Sequence, residues 1–272
     1  MCPGPDNTAG AKKSRRQRGK SEAAAARVLK SHTMIGLVSS VPFEAGLILE
    51  SLKRKTGGVS SPLVEGTAGR RKVAYICSGI GVVNAARALA ILAERTRPEA
   101  VIFFGIGGAY ASSGLRKGDL AAASVEVYAG GGLTEGGKRA AASPAGPYDG
   151  FKALGFPLLT KGGRDYFSSF PLDKRLLKEA KKSIPGLRTG RFLTVWAACR
   201  STRKAGLLGG RYGAIVENME GAAATHTSLF YGIPLLEIRG ISNMAGEPPS
   251  RWIKEEAAIN CQKAVLGLLE VL

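Results

Sequence analysis

Short apolar runs alternate with stretches of helical period from residue 33 to the C-terminus. Met34–Val38, Val73–Cys77, Val101–Phe104 and Leu235–Ile238 are bounded by Gly or turn residues, the pattern of buried strands. Between them Val82, Val83, Ala86, Leu89, Ala90 and Ala93 recur at helical spacing. Ile253, Ala257, Cys261, Ala264, Val265, Leu268 and Leu272 do the same at the end of the chain. A further helix is predicted from Met219 to Tyr231, stopped by Gly232. Strands alternating with helices predict an α/β architecture around a largely parallel sheet. The stretch 129–150 is rich in Gly, Ala and Pro and breaks this rhythm. A loop of that length inside a compact domain is usually functional or mobile, so it is expected near the substrate.

The chain has 272 residues, 44% of them hydrophobic, enough to bury one full core, and a single domain is expected over residues 33–272. The formal charge of +18 raises the question of nucleic acid, and its location answers it. The first thirty residues carry eight basic side chains against two acidic ones and few large apolar residues. Such a segment cannot offset its own ordering entropy, so residues 1–32 are expected to be a disordered basic tail. The remaining basic residues are scattered without interleaved aromatics. Nucleic acid is therefore not the expected partner, and solvated faces or steering of an anionic substrate account for the charge.

Four cysteines lie far apart, and the two histidines form no Cys/His cluster of zinc spacing. This suits a reduced, cytoplasmic chain with no metal and no other cofactor. No apolar run reaches the length of a membrane span.

Three familiar motifs fail. Gly79-Ile80-Gly81-Val82-Val83-Asn84 follows a strand and opens a helix, but lacks the third glycine and the distant acid of a dinucleotide site. It reads as a tight strand-to-helix turn whose amides can meet an anion. Gly132-Leu133-Thr134-Glu135-Gly136-Gly137-Lys138 has the spacing of a phosphate loop, yet Arg139 stands where a magnesium-binding hydroxyl is needed. No G-x-S-x-G elbow exists, and His226 alone on a helix reads as a packing or surface residue.

A different constellation carries chemistry. Glu44 follows the first strand, Glu217 and Glu220 flank Asn218-Met219 after the apolar Ala214–Val216, and Asn243 lies beyond Leu235–Ile238. In open α/β sheets ligands bind beyond the carboxyl ends of strands. Each acid taken singly is explained by helix capping. Together they mark a site.

Glu217-Asn218-Met219-Glu220-Gly221-Ala222-Ala223 resembles the Met-Glu segment of purine nucleosidases and nucleoside phosphorylases. Arg239-Gly240-Ile241-Ser242-Asn243 resembles the R-x-I-S-D/N segment of the same superfamily, and Phe104–Gly108 its central Gly-rich strand end. The resemblance covers about residues 33–272 and implies a three-layer α/β/α sandwich with a mixed, largely parallel sheet. It implies further that Glu44 activates the attacking water and that Glu220 accepts from the ribose hydroxyls. Met219 then packs on the sugar, Gly107 and Gly108 lie beside it, and Asn243 contacts the purine at N7. Glu217 is kept as a capping or supporting residue. Family members commonly form homo-oligomers.

Breaking a ribosyl C1′–N9 bond builds positive charge on the sugar and negative charge on the base. Carboxylates near the sugar and a donor at N7 suit that transition state. Methylthioadenosine/S-adenosylhomocysteine nucleosidases have Asp where Asn243 stands. A 6-oxopurine presents acceptors at O6 and N7, so an amide NH2 matches it better. Gly155-Phe156-Pro157-Leu158, Phe170-Pro171-Leu172-Asp173 and Phe192-Leu193-Thr194-Val195 resemble segments of futalosine hydrolases, whereas Ala198–Thr202 and Met244–Trp252 depart from them. The implied reaction is hydrolysis of futalosine to hypoxanthine and dehypoxanthine futalosine, in an alternative menaquinone pathway, with the nucleoside and water as reactants; for a phosphate co-substrate there is no compelling Arg-plus-Ser cluster, Arg239 and Arg200 being the candidates. Arg200, in the divergent turn, is expected to meet the carboxylate of futalosine's benzoate. For Trp196 and Trp252 buried packing is expected, with lining of the base or side-chain pocket as the alternative. An adenine-releasing methylthioadenosine/S-adenosylhomocysteine-type nucleosidase and a non-catalytic nucleoside or nucleic-acid binder are the alternatives.

Overall fold

The Gly-rich end of one strand, rather than any apolar run, decides how this sheet is built. The strands are β1 (Met34–Ser39), β2 (Lys53–Arg54), β3 (Leu63–Ala68), β4 (Arg71–Cys77), β5 (Ala100–Ala109) and β6 (Leu120–Tyr128). They continue as β7 (Leu159–Lys161), β8 (Arg164–Tyr166), β9 (Ser169–Pro171), β10 (Arg188–Thr194), β11 (Ala214–Asn218) and β12 (Leu235–Met244). The computed structural model describes residues 34–54, 62–69, 71–129, 131–132 and 150–272. The expected tail over 1–32 and residues 133–149 of the expected loop lie outside them, as does most of the phosphate-loop spacing.

Among the described residues ten strands form one mixed sheet in the order β11-β10-β6-β12-β5-β1-β4-β3-β2, with β9 added to β6. β5 is its axis: it runs parallel to β1 and to β12. Its last residues also pair antiparallel with β11, Glu217 opposite Gly108 and Val216 opposite Ala109. That third pairing closes β5, β12, β6, β10 and β11 into a ring, where a three-layer sandwich implies an open sheet. Glycine makes the closure possible, because a Cβ at Gly107 would lie 2.8 Å from Val216 Cγ1.

Both faces of the sheet are dry. Along β5, Val101 and Phe103 join a core with Ile76, Leu89 and Leu92, while Ile102 and Phe104 join another with Leu37, Val265 and Leu268. Each buried phenylalanine contributes about 1.5–3 kcal/mol. A third core, with Tyr110, Leu193, Val195 and Tyr212, fills the closed end. Helix Val82–Thr96 buries Ala85, Ala88, Leu89, Leu92 and Ala93, one stripe of a 3.6-residue period. Helix Lys254–Val271 buries Ala257, Ala258, Cys261, Gln262, Val265, Leu268 and Leu269. Among the described residues no helix is long and apolar enough to cross a membrane.

Gln262 ties this last helix to the turn that carries Glu44. Its Oε1 accepts from Leu47 N–H at 2.8 Å, and its Nε2 donates to Phe43 C=O at 3.4 Å. Two boundaries differ from the sequence reading. β12 continues to Met244, so Arg239–Asn243 lie on the strand and not beyond it, with a bulge between Ile241 and Asn243. The helix expected from Met219 begins at Gly221, because Glu217 and Asn218 still belong to β11.

Candidate active site

Glu44, Met219, Glu220, Asn243, Gly107 and Gly108 all line one cavity of about 250 Å³, together with Glu217, Arg239, Trp252 and Lys254. Arg200 does not line it and is exposed, so the expected partner for a benzoate carboxylate is absent from the wall. The turn points that side chain to solvent, and the cavity-lining cations are instead Arg239 and Lys254. Trp196, expected to be packed, is 69% exposed, whereas Trp252 lines the cavity.

Glu44 sits on the 3-10 turn Pro42–Ala45 just after β1. Its Oε2 accepts from the N–H groups of Ser40 (2.9 Å) and Val41 (3.1 Å), and its Oε1 from Ile106 N–H (2.8 Å). A Cβ at Gly105 would collide with this carboxylate, so the strand must be bare there. Burial raises the proton affinity of Glu44, against the lowering pull of Arg239 and the three N–H donors. The result is a fixed carboxylate with enhanced basicity, suited to taking a proton from water.

Glu220 is the residue before helix Gly221–Tyr231 and is 4% exposed. Its Oε1 accepts from Gly81 N–H at 2.9 Å, so the anion met by the glycine turn is a side chain of the protein itself. Its Oε2 lies 3.6 Å from Arg239 Nη2. Asn218, and not an acid, caps the helix. Its Oδ1 accepts from the N–H groups of Glu220 (2.9 Å) and Gly221 (2.7 Å).

Asn243 has its amide orientation fixed by neighbours. Its Oδ1 accepts from Ser242 Oγ at 2.7 Å, and its Nδ2 donates to Met244 C=O at 3.0 Å. The second N–H of the same NH2 group is left for a ligand acceptor.

Sequence reading missed the buried charge network beneath these residues. Arg239 is 1% exposed, with Nε bonded to Glu237 Oε1 at 2.9 Å and its guanidinium over the Phe103 ring at 4.7 Å. Glu126 and Glu237 are wholly buried and converge on the space where Gly221 has no side chain. Asn218 Nδ2 and Thr194 Oγ1 donate to Glu126 at 2.5 and 2.8 Å. The signal was present: Glu237 and Arg239 alternate on one face of an otherwise apolar strand, where buried charges must pair.

Burial raises both carboxyls; the adjacent Glu237 pushes Glu126 further, well above the usual carboxylate range, while Arg239 pulls Glu237 back. Glu126 therefore holds the proton. An acid with a raised folded pKa binds more protons folded than unfolded, so stability falls as pH rises from its ordinary 4.5 towards the folded value. Glu126→Gln imitates the protonated form. The decline in melting temperature as pH rises above 4.5 should be shallower in the variant than in the wild type. Parallel declines would show that Glu126 is already ionised.

A family model described as the phosphorylase superfamily matches residues 34–271. The chain is 38% identical over 196 residues to a futalosine hydrolase of Thermus thermophilus, covering 72% of this chain and 80% of that protein. It is 27% identical over 255 residues to a 5′-methylthioadenosine/S-adenosylhomocysteine nucleosidase of Actinobacillus succinogenes, covering 88% and 99% of the two chains. Among solved structures, the same kind of nucleosidase from S. pneumoniae with a transition-state inhibitor superposes with a TM-score of 0.70. That alignment has 22% identity and covers 87% of this chain and 98% of the other, a likeness of fold.

Proposed function

The chain belongs to the phosphorylase superfamily, and we propose that within it the protein hydrolyses the N-glycosidic bond of futalosine, releasing hypoxanthine. The observation that carries this reading is Asn243. Its Oδ1 is held by Ser242, so it presents an N–H to the base, which a 6-oxopurine can accept at O6 or N7. The relative of Thermus thermophilus supports the same substrate.

In this mechanism Glu44 takes a proton from water as the oxygen attacks C1′ and the C1′–N9 bond breaks. Glu220 accepts from the ribose hydroxyls and holds C1′ in line with the water. The electron pair of the broken bond goes to the purine, where Asn243 steadies the developing charge. The base regains a proton through solvent, and Glu44 is freed of its own. Arg239 is faced by Glu237, Glu220 and Glu44, whose negative charge opposes a phosphate co-substrate beside it. That favours water as the nucleophile. A cytoplasmic homo-oligomer extends this reading, with exposed Ile80, Val83 and Trp196 as apolar surface for association.

The test is release of free base from futalosine and from its 6-aminopurine counterpart, each with and without phosphate. Hypoxanthine released from futalosine at a rate independent of phosphate is the expected result. Preferential release of adenine would favour the methylthioadenosine-type alternative, and dependence on phosphate would mean phosphorolysis.

A further inference from the structure

Glu220 stands where a carboxylate usually folds back onto its own helix. It is the residue before Gly221, yet its side chain caps nothing there and reaches Gly81 N–H and Arg239 instead. An acid at that position ordinarily accepts from the free N–H groups of the first helical turn. Here those N–H groups are already taken. Asn218 Oδ1 accepts from Glu220 and Gly221, and Thr194 Oγ1 accepts from Ala222 N–H at 2.8 Å. Thr194 and Asn218 stand in register at the ends of β10 and β11. Both rest on Glu126 of β6, the strand on the other side of β10. Neither Glu126 nor Thr194 lines the cavity.

This support has a fixed polarity. Asn218 Oδ1 faces two N–H groups, so its NH2 must point the other way, where Glu126 Oε1 is the acceptor. A reversed amide would set NH2 against both N–H groups. The Thr194 hydroxyl has one proton for two oxygens, Glu126 Oε2 at 2.8 Å and Asn218 Oδ1 at 3.1 Å. Glu237 Oε2, buried beside Glu126 Oε1, has no hydrogen-bond partner among the described residues. One proton on Glu126 supplies the donor that the cluster lacks, towards Thr194 or towards Glu237.

We propose that Glu126 and Thr194 are positioning residues for Glu220: with Asn218 they cap its helix, and so leave the Glu220 carboxylate to the ribose. This rests on the reading of Glu220 as the acceptor of the ribose hydroxyls. With an apolar side chain at Glu126, Asn218 loses the acceptor that orients it. The bare helix start then competes for the Glu220 carboxylate, because a negative charge is favoured there. A carboxylate drawn back to its helix releases the sugar from its alignment. Misplacement by about 1 Å costs roughly 10²-fold in rate.

The experiment measures kcat/KM for futalosine divided by kcat/KM for 2′-deoxyfutalosine. Loss of folded enzyme lowers both values equally and leaves this ratio alone. Glu220→Ala gives the ratio of a site without the ribose carboxylate, which should be lower than that of the wild type. Glu126→Leu should lower the ratio about tenfold, towards the Glu220→Ala value. Thr194→Val should shift it in the same direction, and carries the test if the leucine variant does not fold. Glu126→Gln keeps an acceptor for Asn218 and a donor for Thr194, so its ratio should stay within roughly threefold of wild type. An unchanged ratio in the leucine and valine variants, or equal losses with leucine and glutamine, overturns the proposal and leaves Glu126 to the fold. Those outcomes would occur with Glu220→Ala still lowering the ratio. If Glu220→Ala leaves it unchanged, the ribose reading of Glu220 fails and the proposal fails with it.

Discussion

Glu44→Gln should lower kcat for futalosine hydrolysis by about 10²- to 10⁴-fold, the range expected when a positioned general base is lost. The change keeps the shape of the side chain and removes only its ability to take a proton. Three backbone N–H groups converge on the carboxylate, from Ser40, Val41 and Ile106. The amide NH2 must face at least one of them, an opposed donor contact that costs about 1–3 kcal/mol. Relief from burying a charge works in the other direction. The fold should therefore survive, and the far-ultraviolet spectrum with the melting curve checks that it does. The wild-type pH profile supplies a second reading of the same residue. Burial raises the Glu44 pKa above its ordinary 4.5, so the acid limb of kcat/KM should lie above that value and disappear in the variant. A variant within tenfold of wild-type activity would place the base elsewhere.

The strands that sequence reading found are those buried on both faces, because an apolar run such as Val101–Phe104 announces itself without any partner. What it missed follows from glycine. Gly105–Gly108 and Gly240 look like the ends of strands, since glycine usually marks a turn. Here they continue β5 and β12, and glycine serves close approach: Val216 packs over Gly107 and Glu44 fills the space at Gly105. Closure of the ring through Glu217 and Gly108 joins residues more than a hundred positions apart, and no local pattern encodes it. Glu44, Glu220 and Asn243 were legible because polar residues at the ends of apolar strands need a reason. Arg200 was misplaced because charge complementarity says nothing of direction, and its side chain points outward while Lys254, on the last helix, lines the cavity. Glu126 was invisible. Its buried position depends on Glu237 and Arg239 from β12, which only the folded sheet brings beside it.

That dependence gives a large expected stability effect. Arg239→Leu should cost about 3–5 kcal/mol, the usual consequence of removing one partner from a buried ion pair. Arg239 opposes Glu237 directly, Glu220 at 3.6 Å and Glu44 through its field. Without it, four buried carboxyl groups, counting Glu126, lose the one cation that the ion pairs among the described residues give them. Urea unfolding at neutral pH reads the loss. Protonation offsets part of it, so the deficit should shrink as pH falls towards 5. The double variant Arg239→Leu/Glu237→Leu separates charge from packing. Replacing a buried pair by apolar side chains is often neutral, so much of the lost stability should return. Activity should not return with it, because Glu220 has lost the guanidinium that holds its Oε2. A single variant that loses less than about 1 kcal/mol would mean that the carboxyls are largely protonated in the native state, and that Arg239 is held by its packing over Phe103. Recovery of both stability and turnover in the double variant would remove Arg239 from the support of the ribose site altogether.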